Sequence, residues 1–234
     1  MMVEALVYFF VPALVGVLIG VASGLLGIGG GTVMVPIFRL AFGMSATMST
    51  ATSLFAIIPT SISGAISHVK GKTCIPALGI AAGLGGACLS PVGVWLAQLS
   101  PDWLVMLAAA LIIGYSAINM FKKAFKLRPA GQPAAGVDAA APTADDSSLS
   151  RKQLLQGAAI GLVAGLASGY VGVGGGFIMV PLMLSIIGIP MRKASGTSLI
   201  AVMILAIPGV IEQGIIGNIN YLAGIAIVIG TIPG

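Results

Sequence analysis

Of the 234 residues, 58% are hydrophobic and 7% are charged, with a mean hydropathy of +1.11. Soluble domains carry roughly 25% charged residues, so a water-soluble globule is excluded. Eleven Lys and Arg against six Asp and Glu leave a net charge of +5, but the cations sit between apolar runs and form no basic stripe interleaved with aromatics, which argues against nucleic-acid binding.

Apolar runs occupy residues 5–26, 31–43, 46–68, 75–98, 103–121, 154–171, 177–189, 194–216 and 221–234. Most reach the ~20 residues of a spanning helix. The first follows no basic residue, carries Glu4 and leads into a glycine motif, so it reads as a retained helix and not as a cleaved signal peptide. The runs at 31–43 and 177–189 are too short to cross the hydrocarbon core at ~1.5 Å per residue, which predicts short or broken helices. The fold class is therefore all-α, a polytopic transmembrane helical bundle.

Residues 126–150 are rich in Ala, Pro, Gly, Ser and Asp, without an apolar face. Such a segment cannot bury enough surface to fold and is expected to be a flexible linker. Lys122, Lys123, Lys126, Arg128, Arg151 and Lys152 flank or enter it, which places it in the cytoplasm by the positive-inside tendency. It separates a first transmembrane repeat, 1–125, from a second, 151–234.

The two copies are visible without a gap. At an offset of 145, Gly16–Pro36 (GVLIGVASGLLGIGGGTVMVP) matches Gly161–Pro181 (GLVAGLASGYVGVGGGFIMVP) at twelve of 21 positions. Thr52, Ser53 and Leu54 fall on Thr197, Ser198 and Leu199. If all five runs of the first unit span, a cytoplasmic linker forces inverted topology, and the charges agree: Gly43–Thr47 has no basic residue, whereas Gly188–Arg192 runs into Arg192 and Lys193. If the short runs are re-entrant, the copies are parallel. Nothing in the second unit matches Asp102–Phe121, so that copy is expected to be truncated at its C-terminus, short of roughly 35 residues by repeat arithmetic.

The chemistry-bearing motifs lie in the repeat. GIGGGTVMVP and GVGGGFIMVP put Gly27, Gly29, Gly30 and Gly31, and Gly172, Gly174, Gly175 and Gly176, before a short helix, with Thr32 next in the first copy. Glycine permits an unwound turn, and a helix start presents N–H groups and a positive dipole end to an anion. Two such turns facing one another would make a mid-membrane anion site; the competing reading is close packing of small residues. Thr52, Ser53, Thr197 and Ser198 open long apolar helices and can donate to oxyanions, or else bond a carbonyl one turn back. Arg39 is a charge within a short run, and Pro36 and Pro181 are hinge or kink positions. Glu212 is expected at an interface, and His68 at the surface in a loop. Cys74 and Cys88 lack ligand spacing, so neither a metal site nor a cofactor is expected.

The paired GIGGG-type loop followed by Val-Pro, with KASGTSL and the looser MSTATSL, resembles the sulfite exporter TauE/SafE family. The resemblance implies a permease of the bacterial cytoplasmic membrane handling sulfur oxyanions or organosulfur compounds such as sulfite. It carries the family's paired motifs onto Gly27, Gly29, Gly30, Gly31 and Pro36 and onto Gly172, Gly174, Gly175, Gly176 and Pro181, while Ala51 stands where the second copy has Gly196. The expected function is a secondary carrier for a small anion; an anion channel and a non-transporting membrane scaffold or assembly protein are the alternatives, and an enzyme is not expected. Its expected partners are the anionic substrate and the lipid bilayer, and a homo-oligomer is compatible with the sequence.

Overall fold

The computed structural model describes residues 15–20, 30–126 and 150–231, which are helical with no strand among them. Residues 15–20 form one helical stretch, followed by α1 (Gly31–Leu40), α2 (Ala46–Lys70), α3 (Pro76–Leu99), α4 (Asp102–Lys126), α5 (Arg151–Val171), α6 (Gly176–Leu182), α7 (Met191–Ile216) and α8 (Tyr221–Thr231). The helices α2, α3, α5 and α7 are long and apolar enough to cross a membrane. The short runs are short helices, as their length demands: α1 has 10 residues and α6 has seven, extended by a π-turn at Met183–Ile187.

Local chemistry sets the boundaries. The Ser45 hydroxyl caps α2 by accepting from Met48 N, and the Asp102 carboxylate accepts from Ala46 N. Pro76 starts α3, where its missing N–H costs nothing. Ser150 and Gln153 form a capping box on α5, and α5 ends where Gly172 turns left-handed, φ +73. The Asn220 carboxamide caps α8 at Ala223 N. Residues 127–149 of the expected linker lie outside the described residues.

Small residues bring the backbones into contact. On α5, Gly157, Gly161, Gly165 and Gly169 recur every four residues and meet Leu78, Ala82, Gly86 and Ser90 on α3 in the same order, so the two helices run parallel. A Cβ on Gly161, Gly165 or Gly169 would overlap the facing backbone carbonyl. Without a hydrophobic force between helices in lipid, this proximity is the main source of their attraction. On the outside, Trp95, Leu99, Trp103, Leu111, Leu155 and Ile215 are exposed, a surface suited to lipid and not to water.

Contacts repeat at the offset of 145. Gly16 approaches Ile227 and Gly20 approaches Thr231, as Gly161 approaches Ala82 and Gly165 approaches Gly86. Ile19, Met34, Phe38, Met44, Ala56, Ala223 and Ile227 form one buried cluster; a second contains Ala164, Met179, Met183, Ile189, Ala201, Leu78 and Ala82, one counterpart for each. The long helices α2 and α7 run antiparallel: Ile75 N, just past α2, donates to Thr197 Oγ1 in the second turn of α7, and Asn220 N, just past α7, donates to Thr52 Oγ1 in the second turn of α2, both at 3.0 Å.

Candidate functional site

Of the first glycine segment, Gly27 and Gly29 lie outside the described residues. Gly30 caps α1 with φ +72, and its carbonyl accepts from Val33 N and Met34 N, each at 3.2 Å. The second segment repeats this geometry. Gly175 caps α6 with φ +64, and its carbonyl accepts from Ile178 N and Met179 N at 3.1 and 3.0 Å. Gly172, Gly174 and Gly175 all have positive φ, the region that disfavours every residue with a Cβ. Gly176 N is bonded within the loop, to Gly174 O at 2.6 Å.

The two segments meet. A Cβ on Gly31 would stand 2.5 Å from Val173 O and would overlap the Ile57 side chain, while a Cβ on Gly174 would stand 2.8 Å from Ile57 Cδ1. The fully buried Ile57 is thus wedged between the glycine turns. Two helical turns earlier, Thr50 packs against Gly172. Beside the second turn, Ser168, Val173, Gly175 and Phe177, with Ile112 of α4, help to line a small apolar void of about 10 Å³.

The hydroxyls divide into three kinds. Ser49, Thr50, Thr60, Ser61, Ser185, Ser198 and Thr231 donate to carbonyls three or four residues back, the bonding usual in membrane helices. Thr52 and Thr197 accept the backbone N–H groups that tie the two halves together. Ser53 Oγ, Ser90 Oγ and Ser168 Oγ are buried without a hydrogen-bond partner among the described residues, at 0%, 0% and 1% exposure; Ser90 packs between Gly169 and Gly209. Ser168 lies against the second glycine turn, and Ser53 lies on α2 beside the face that covers it. At 100° per residue, Ser53 falls between Ala56, which packs with Met34 and Phe38 of α1, and the Thr50/Ile57 face that covers Gly172 and Gly174. From the other side, Ser168 Cβ lies 3.5 Å from where a Gly175 Cβ would be, and Ser168 O accepts from Gly172 N. Ser168 was not singled out from sequence, although it recurs in the repeat as Ser23.

Arg39 is elsewhere, at the far end of α1, where it donates to Met44 O at 2.7 Å and pairs with Asp102 at 3.5 Å. Pro36 and Pro181 lie within α1 and α6, the latter just before the π-turn. His68 differs from expectation: it is in the last turn of α2, half-buried, with Nδ1 2.8 Å from Thr73 Oγ1 and its ring against Gly196. That contact explains a glycine at 196, since a Cβ there would meet Thr73 O at 2.5 Å and the imidazole at 2.9 Å. In the other half the corresponding pair is Gln213 and Asn218, bonded at 3.0 Å. Glu212 lies one turn from the end of α7 with Oε2 buried and unpartnered among the described residues.

The family model described as sulfite exporter TauE/SafE matches residues 12–234. The chain belongs to the sulfite exporter TauE/SafE family. It is similar to the probable membrane transporter protein YunE of Bacillus subtilis, 28% identical over 95% of this chain and 84% of that protein. A probable membrane transporter protein of Haemophilus influenzae is 30% identical over 84% of this chain and 70% of its own length. A plant relative, sulfite exporter TauE/SafE family protein 3 of Arabidopsis thaliana, is 28% identical over 58% of this chain and 26% of that protein. No solved structure matches. The TauE/SafE family is a membrane transporter family, so the spanning helices and buried polar groups described above belong to a multi-pass membrane transporter.

Proposed function

We propose that the chain is a secondary carrier for a small anion, a sulfur oxyanion or organosulfonate such as sulfite, bound at the second glycine turn between α2 and α5. The observation that supports this reading is that the Ser168 hydroxyl, at Gly172–Gly175, and the Ser53 hydroxyl, beside the α2 face that covers that turn, are buried without a partner among the described residues. A hydroxyl hidden without a partner costs about 1–3 kcal/mol, and membrane helices normally avoid that by bonding back. An oxyanion would take a proton donor from each. With both hydroxyls buried, admission of the substrate requires the halves to move.

The reciprocal contacts at offset 145, with α2 and α7 antiparallel, support two inverted copies related by an axis in the membrane plane. In this reading the Thr197–Ile75 and Thr52–Asn220 bonds hold opposite faces shut, and each breaks when its own face opens. The chain works in the bacterial cytoplasmic membrane with the 126–150 linker in the cytoplasm. Purified protein in liposomes with labelled sulfite or methanesulfonate should show saturable flux; flux no greater than that of empty liposomes for both would refute the carrier.

A further inference from the structure

The charge content of this site limits the charge of its substrate. Residues 40–69, which contain Ser53, hold no Lys, Arg, Asp or Glu, and neither do residues 153–191, which contain Ser168, the second glycine turn and α6. The first glycine segment, residues 16–36, is equally free of them, as is the whole of α3. Lys70 and Arg151 stand 17 residues from Ser53 and Ser168 on the same helices, about 25 Å along the axis. Arg192 and Lys193 begin α7, at the level where Gly196 meets His68, near the end of α2. Arg39 is bound to Asp102 and Met44 O at the far end of α1, and Glu212 lies in the last turns of α7.

Among the described residues, an anion entering this site therefore meets dipoles only, the Ser53 and Ser168 hydroxyls. The attraction of a dipole for an ion grows in proportion to the ion's charge, whereas the Born cost of leaving water grows as its square. A second negative charge thus doubles the gain and quadruples the loss, and residues 40–69 and 153–191 hold no cation to offset the difference.

We infer that the site accepts singly charged oxyanions, of the sulfonate or hydrogensulfite kind, and excludes doubly charged ones. The inference rests on the carrier reading of the same site. Methanesulfonate and sulfate test it, being tetrahedral sulfur oxyanions of similar size that differ by one charge.

Flux of each labelled anion into liposomes containing the purified chain is measured at one pH and ionic strength, with the membrane potential clamped at zero. Methanesulfonate should move about tenfold faster than sulfate or more, and Ser53→Ala and Ser168→Ala should each lower its flux about tenfold with an unchanged helical circular-dichroism spectrum. Equal flux of the two anions overturns the charge restriction and leaves an anion carrier standing; movement of neither, with labelled sulfite immobile as well, overturns the carrier reading itself. Full methanesulfonate flux in both alanine variants puts the substrate elsewhere and overturns the site.

Discussion

Gly172 has no side chain, and Thr50 occupies the space where one would be. Its φ of +73 adds a backbone penalty for any other residue, so Gly172→Ala should destabilise the protein by about 1–3 kcal/mol, measurable as a lower melting temperature in detergent. Thr197 presents a different balance. Removing its hydroxyl leaves Ile75 N–H buried and unbonded, at a cost of about 1–3 kcal/mol. Thr197→Val should lower stability and bias the carrier toward opening at that face, read as faster alkylation of a cysteine at Ile75, whereas Thr197→Ser should restore both. By contrast Arg39→Ala breaks an ion pair whose side chains are 37% and 46% exposed, and the loss should stay below about 1 kcal/mol. Transport that survives Arg39→Ala would agree with a site made without charge.

At the level of elements, α3 and α5 associate through backbones, and four glycines spaced by four residues make that approach possible. Gly161→Val places two methyl groups where Ala82 O stands and should prevent close association of the helices, seen as loss of the monodisperse peak in size-exclusion chromatography. The GxxxG spacing is legible in sequence, but its partner is not: Leu78, Ala82, Gly86 and Ser90 also recur every four residues, and many other small residues compete for the role. The glycines therefore divide by position between close packing and turning of the chain. Those inside α5 have negative φ and serve packing, while Gly172, Gly174 and Gly175 turn the chain.

Across the whole molecule, the antiparallel arrangement of α2 and α7 makes a topological prediction. Ala41 and Ile186 are exposed and occupy equivalent places after α1 and within the π-turn that extends α6. Single cysteines at these positions, in a background with Cys74 and Cys88 replaced, should react with an impermeant maleimide from opposite sides of oriented vesicles. Reaction from the same side would refute inversion.

Composition and run length alone determined that the chain lives in lipid, because the transfer cost of a spanning helix depends on which residues it contains and not on their neighbours. The glycine segments, the short helices and the hydroxyl pairs were equally readable, since an ungapped match between two stretches is a property of sequence. Only the tertiary structure sorted the hydroxyls. Thr52 and Ser53 are adjacent and chemically alike, yet one side chain reaches the backbone of the other half and its neighbour, about 100° further round the helix, is left buried without a partner among the described residues. Which hydroxyl bonds across to another helix, which bonds back to its own and which is left over depends on what stands opposite each face, and the helices that stand opposite come from more than a hundred residues away.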